Sequence, residues 1–278
     1  MGELKVRSID FTFDEVPFYW NRGNPHWGNF VNFVTVIGPA FERYFIKAIR
    51  QAMPLIKDPA VKKDADLFCL QEAQHSRQHL AHLRALTDQY PALEAIRKQV
   101  LDSYEHLFAT ESMEFHLSYA ATVELTFGPI AKFVIENRDV LFKDCDKRIA
   151  AFMLWHLVEE FEHRNSAINI YNDVVGKYGY RMKSAVGVFK HLVEIDRITR
   201  ECFSHHIPPC QTAEGNAVVA NDISHMFKDI SVWRQCGFFY NLFCTLLPYH
   251  KPDNLQQPEW ATQWFADEAA GKDMTLYY

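Results

Sequence analysis

Glutamates stand in this chain where acids are expensive. On a helix at ~100° per residue, Glu42 shares its face with Phe45, Ile46, Ile49 and Met53. Glu124 has Ala120, Ala121, Gly128 and Ala131 as its helical neighbours, and it is the only formal charge between Glu114 and Lys132. A carboxylate inside an apolar stripe must be protonated, paired or bound to a cation. A single buried glutamate is as readily explained by an arginine or tyrosine partner. Here each lone glutamate is followed by a Glu-x-x-His pair, Glu72 with His75 and Glu160 with His163, at separations of 30 and 36 residues. Residues three apart project from one helical face, so each pair offers a carboxylate and an imidazole together. His79 lies one turn beyond His75, and His156 lies four residues before Glu160, each on the same face as its pair. Four carboxylates with imidazoles are suited to neutralising and bridging two divalent cations. Such an oxygen and nitrogen set suits iron first, with manganese or zinc as alternatives, and no cysteine stands at ligand spacing in these segments.

The order Glu, Glu-x-x-His, Glu, Glu-x-x-His resembles the ligand set of ferritin-like di-iron carboxylate bundles. With His156 the last ligand segment reads His-x-x-x-Glu-x-x-His, a spacing similar to that of di-iron arylamine N-oxygenases. The stretches FERYFIKAIRQAMPLIKDP, QEAQHSRQH and WHLVEEFEHR resemble the bacterial family catalogued as predicted metal-dependent hydrolases, a ferritin-like group, over residues 8–250. These resemblances imply Glu42, Glu72, His75, Glu124, Glu160 and His163 as metal ligands, with His156 as a seventh. His79 and Glu159 are expected to stand behind them. Two positions depart from the family pattern, Phe41 before the first glutamate and Gln78 before His79, and both bear on the shape of a pocket beside the metals.

Helices must position these groups. Helical spacing predicts segments over 30–55, 65–87, 90–106, 111–137, 147–178, 183–206, 223–247 and 259–270. Gly38-Pro39 predicts a kink or a fresh start in the first. A polar turn is expected at 57–64 and a polar loop at 210–223. The fold expected is all-α: an irregular segment at 1–26, a ferritin-like four-helix metal-binding bundle at 27–180, and a C-terminal helical extension at 181–278 packed on it. The stretch 115–131 reads as a buried helix too short to span a membrane. Residues 233–247 read most simply as another buried helix, or else as a homodimer interface or an apolar tunnel.

Composition narrows the function. The 278 residues are 48% hydrophobic and 23% charged, a globular balance. With 29 Lys and Arg against 35 Asp and Glu, the net charge of −6 argues against a nucleic-acid partner. Six cysteines without CxxC pairs, and no secretory h-region, fit a cytoplasmic protein. Cys202, His205, His206 and Cys210 have a zinc-like look without a second ligand pair, and His191 with Glu194 reads as a packing or solvated pair. The leading expectation is a non-haem di-iron oxidase or oxygenase using O2 on a small organic substrate, served by an electron donor. The alternatives are a metal-dependent hydrolase with the same dinuclear site, and a non-catalytic ferritin-like metal-binding protein.

Overall fold

The computed structural model describes residues 4–211 and 215–278. The first three residues of the irregular segment and residues 212–214 of the polar loop lie outside the described residues. The all-α class holds: among the described residues the one sheet is a two-residue antiparallel pair, β1 (Cys210–Gln211) with β2 (Ala217–Val218).

Helix α1 (Pro25–Ala52) starts five residues before the expected boundary. Asn24 caps it by accepting the Trp27 amide at 3.0 Å, and Pro25 occupies the first turn, where no amide donor is required. The helix continues through Pro39 rather than restarting there. Its apolar residues keep phase on both sides of the proline, so burial of both halves outweighs the lost backbone bond. A 3-10 turn, Met53–Leu55, leads to α2 (Pro59–Gln89). The expected polar turn at 57–64 is mostly helix, because Asp58 caps the Ala60 amide at 2.8 Å and Pro59 again sits at the first position. Next come α3 (Ala92–Thr110), α4 (Met113–Glu136) and the single turn α5 (Arg138–Leu141).

The segment expected as one helix over 147–178 is two, α6 (Lys147–Glu162) and α7 (Ser166–Val174). Arg164 causes the break to persist: its guanidinium takes the orphan Phe161 carbonyl at 2.6 Å and the Pro252 carbonyl at 3.1 Å. The break leaves His163 as the residue that caps α6. Helix α8 (Tyr178–His206) packs on α4 and α3. The helix expected over 223–247 is only α9 (Val232–Cys244), preceded by turns and capped by Ser231. It is not a buried helix: Trp233, Tyr240 and Phe243 face solvent and only Phe238 is buried. Helix α10 (Glu259–Ala269) closes the chain.

Helices α1 and α2 run antiparallel, with Arg50 near Asp66 at one end and Thr35 near His82 at the other. Helix α4 lies against α6 and α7 and also meets α1, while α6 meets α2. Four helices therefore converge on one interior. The N-terminal segment wraps this interior with buried Phe11, Phe13, Val16, Phe18 and Trp20. Asn32 of α1 pins it, accepting from Trp20 Nε1 at 3.1 Å and donating to the Phe18 carbonyl at 2.7 Å. Asn32→Leu removes both partners in a buried place and is expected to cost about 2–4 kcal/mol in urea denaturation. A cost below roughly 0.5 kcal/mol would mean that this pair does not hold the segment.

Candidate metal centre

Glu42 projects from α1, Glu72 and His75 from α2, Glu124 from α4, and His156 and Glu160 from α6, with His163 at its end. All seven are buried. Their ligand atoms fall into overlapping groups, each within 4.8 Å: Glu72, Glu124, Glu160 and His163; Glu42, Glu72 and His75; and His75, His156 and Glu160. His79 joins a further group with Glu42 and His156. Glu42, Glu72, His75, His156 and Glu160 each belong to two of the groups, so the groups form one continuous cluster. His79 stands closer to the centre than its expected supporting place, with Nε2 at 2.9 Å from His156 Nδ1 and 3.7 Å from Glu42 Oε1. Gly38 allows this approach, since a Cβ there would lie 3.0 Å from His79 Cδ2.

The polar atoms of the cluster are conspicuously underused. Glu42 Oε2, both oxygens of Glu72, both oxygens of Glu124 and His75 Nδ1 are buried without a hydrogen-bond partner. Among the described residues no lysine or arginine pairs with Glu42, Glu72, Glu124 or Glu160; their ion-pair partners are histidines. Unsatisfied buried groups of this kind are costly and call for an ion, a proton or water.

The histidines are oriented from behind. His75 Nε2 meets Glu159 Oε2 at 2.9 Å, which leaves Nδ1 facing Glu72 and Glu160 at 3.6 and 3.5 Å. Gln71 donates to Glu162 and to the Lys5 carbonyl, so its amide oxygen faces His163 Nδ1 at 3.1 Å. His163 Nδ1 must then be the donor, and Nε2 points at Glu160, Glu72 and Glu124 at 3.0, 3.3 and 3.6 Å. Fixing one ring nitrogen as a donor to free the other is how metal-binding histidines are held. Glu159 and Glu162 are in turn gathered by Arg7, whose Nη1 lies 3.0 Å from Glu159 and 2.8 Å from Glu162. Glu159 thus lies on the Nε2 side of His75, away from Glu72 and Glu160. Arg7 and Gln71 escaped the sequence reading, because their role depends on a long-range contact between the N-terminal segment, α2 and α6. Gln78, one of the two departures, donates to the Ile9 carbonyl and holds that same segment.

Protonation in the metal-free fold reflects the crowding. Burial, with Glu72 nearby, pushes the Glu42 carboxyl well above its usual range. Burial, with Glu160, Glu72 and Glu42, does the same to Glu124. For Glu160 burial acts upward, but His163 and the hydrogen bonds with His156 and His163 overcome it and hold the carboxyl low. Burial opposes charge on His75 and His163, yet the hydrogen bond to Glu159 and the nearby Glu72 carboxylate raise the first and the Glu160 charge raises the second. Burial lowers His79 and His156, each helped by a neighbouring imidazole. Farther along α2, His82 is buried, bonded to Thr35 at 2.9 Å, and pushed down to about 3 by burial. The zinc-like residues near Cys202 form no such cluster among the described residues, and His191 is tied to Tyr119 and Ser103.

A family model described as "Predicted metal-dependent hydrolase" matches residues 5–253. Neither the curated proteins nor the solved structures gave a match.

Removing Arg7 strands two carboxylates, one of them fully buried. Arg7→Met is expected to cost about 3 kcal/mol in urea denaturation, with Arg7→Lys recovering part of it. A second expectation concerns pH. Glu42 and Glu124 titrate above their unfolded value, so the metal-free fold escapes their charge at acid pH and loses stability as pH rises through the interval between the two values. Glu42→Gln and Glu124→Gln, which imitate the protonated acid, should therefore raise the Tm of metal-free protein near pH 8 and change it little near about pH 4. A Tm difference that stays constant with pH would refute this assignment.

Proposed function

The chain belongs to the family of predicted metal-dependent hydrolases, and from that premise we propose that its buried cluster holds two divalent metal ions and that its reaction is an O2-dependent oxidation of a small organic substrate. The observation that carries the metal reading is the convergence of unpartnered carboxylate oxygens and one imidazole nitrogen in a single buried volume. Four carboxylates offset the charge of two divalent cations, which leaves the interior neutral. Glu42, Glu72, His75, Glu124, Glu160 and His163 would hold the ions, with His156 as a seventh ligand and His79 in support. We read the ligand-bearing helices as a ferritin-like bundle at 27–180 carrying 181–278 as an extension. The donor set of carboxylates and imidazoles favours iron, with manganese and zinc behind it.

A bound iron pair would supply electrons to O2 and accept them back from the substrate. The chain's own residues do the rest. Glu159 and Gln71 keep the His75 and His163 lone pairs aimed inward. Phe68, Trp155 and Phe152 pack edge-on against His163, His75 and His79 and exclude water from behind the ligands. Hydrolysis is the second reading, favoured by the family's description. Two cations and the same ligands would then activate a water.

Metal analysis of purified protein should find about two ions per chain, with Glu72→Ala and Glu160→Ala each losing at least half. Protein loaded anaerobically with ferrous iron should consume O2 and show a transient visible absorption on mixing. Turnover of esters or amides by manganese- or zinc-loaded protein without O2, and no iron-dependent O2 uptake, would replace oxidation by hydrolysis. Metal content far above two ions per chain would favour storage instead.

A further inference from the structure

An apolar cavity of about 190 Å³ lies between α1, α4, α6 and α8 and ends on Glu42, His156 and Glu160. Those three are the only ionisable side chains in its lining. Along α1 the lining runs through Phe30, Val34, Ile37 and Phe41, recurring at three- and four-residue steps, so one helical stripe leads down to Glu42. Burial grades along the same line. On α1 Phe30, Val34 and Ile37 are partly exposed, while Phe41 and Glu42 are buried. At the inner end His156 keeps 7% of its surface accessible, against 0–1% for Glu42, Glu72, His75, Glu124, Glu160 and His163. The cavity therefore touches the cluster along Glu42, His156 and Glu160, and His156 is the most accessible of the three. Two larger surface depressions, of about 790 Å³ beside Asp14 and Arg84 and about 860 Å³ beside Lys132 and Arg234, contain none of the cluster residues.

We infer that this cavity is the substrate pocket and that the substrate is a compact, uncharged, hydrocarbon-rich molecule that meets the metals from the Glu42–His156 side. The inference rests on the metal reading above for what happens at the inner end. Size follows from volume: an apolar cavity of about 150 Å³ holds one benzene, so this one accepts a small ring with a short substituent, about seven to ten non-hydrogen atoms. Charge follows from the lining. It offers no arginine or lysine to an anion, and an ionised group taken from water into it would face a desolvation cost of several kcal/mol. Phe41, the departure from the family pattern next to Glu42, forms part of the wall, which ties the shape of the pocket to this chain's own sequence.

The test is fluorine NMR with fluorobenzene as the neutral probe and 4-fluorobenzoate as the charged one of similar size, on the full chain with its metal content measured. Fluorobenzene should bind at least tenfold tighter than 4-fluorobenzoate. Ile37→Trp, which fills the pocket, should weaken fluorobenzene at least tenfold. Leu157→Ala, which enlarges it, should tighten the bulkier 1-fluoronaphthalene at least fivefold, and it answers the question if the tryptophan variant fails to fold. Cobalt-loaded protein should relax the bound fluorine faster than zinc-loaded protein, because the probe sits beside the ions. Benzoate binding as tightly as fluorobenzene, or affinities indifferent to Leu157→Ala, would overturn the inference. Two bound metal ions without fluorobenzene binding would overturn it and leave the metal reading intact. Fluorobenzene bound by protein that takes up no metal would instead overturn the metal reading and leave an apolar binding site.

Discussion

Burying four carboxylates in one hydrocarbon interior is the constraint around which the rest of the molecule is arranged. Each ionised group costs several kcal/mol to remove from water, and like charges at contact distance raise that cost. The usual remedy, an arginine or lysine beside each acid, is absent from Glu42, Glu72, Glu124 and Glu160 among the described residues. In the metal-free fold protons meet the constraint: Glu42 and Glu124 are pushed toward their neutral forms and His75 and His163 toward their charged ones. If cations bind at these groups they would displace those protons, so that metal uptake and proton release would be one exchange.

Cationic side chains are kept one layer out. Arg7 gathers Glu159 and Glu162, which orient His75 directly and His163 through Gln71. This placement explains why the N-terminal segment is wrapped so closely on α2 and α6: it delivers the charge that the outer carboxylates require without bringing that charge into the centre. An arginine one layer farther in would compete with the cations for the same oxygens.

The centre was largely legible in the sequence because it violates the hydrophobic pattern. An acid in an apolar stripe, as at Glu42 and Glu124, is an energetic anomaly that needs no structure to detect, and the Glu-x-x-His spacing adds direction. The all-α class followed from the same periodicity. What stayed hidden depends on tertiary contact. Gly38-Pro39 predicts a kink or a fresh start, and the helix does not restart there, since packing on both sides of the proline prevails. The single helix expected over 147–178 is divided at His163 because Arg164 reaches carbonyls that periodicity does not register. Helix α9 looked buried from its aromatic content, yet it has too few neighbours to cover Trp233 and Phe243. Arg7, 65 residues before Glu72 in the chain, carries no local signal at all.

The centre is also asymmetric in a way that the quasi-duplicated motifs conceal. The two Glu-x-x-His pairs suggest equal halves, but the surroundings differ. Glu124 and His163 are closed in, with Phe68 edge-on to the His163 ring, whereas Glu42 and His156 border the apolar cavity. His79 extends the cavity side through His156 and Thr35, while Gln71, Glu162 and Arg7 extend the His163 side. A site built this way separates two demands that conflict. An ion bound in the sealed half would be held rigidly, since rigid ligands and excluded water favour retention. The half that borders the cavity can change its neighbours without disturbing the shared carboxylates. If the cavity admits the substrate, substitutions along the α1 stripe at Val34, Ile37 or Phe41 would alter what reaches the centre while leaving the ligands in place, since none of the three belongs to a ligand group.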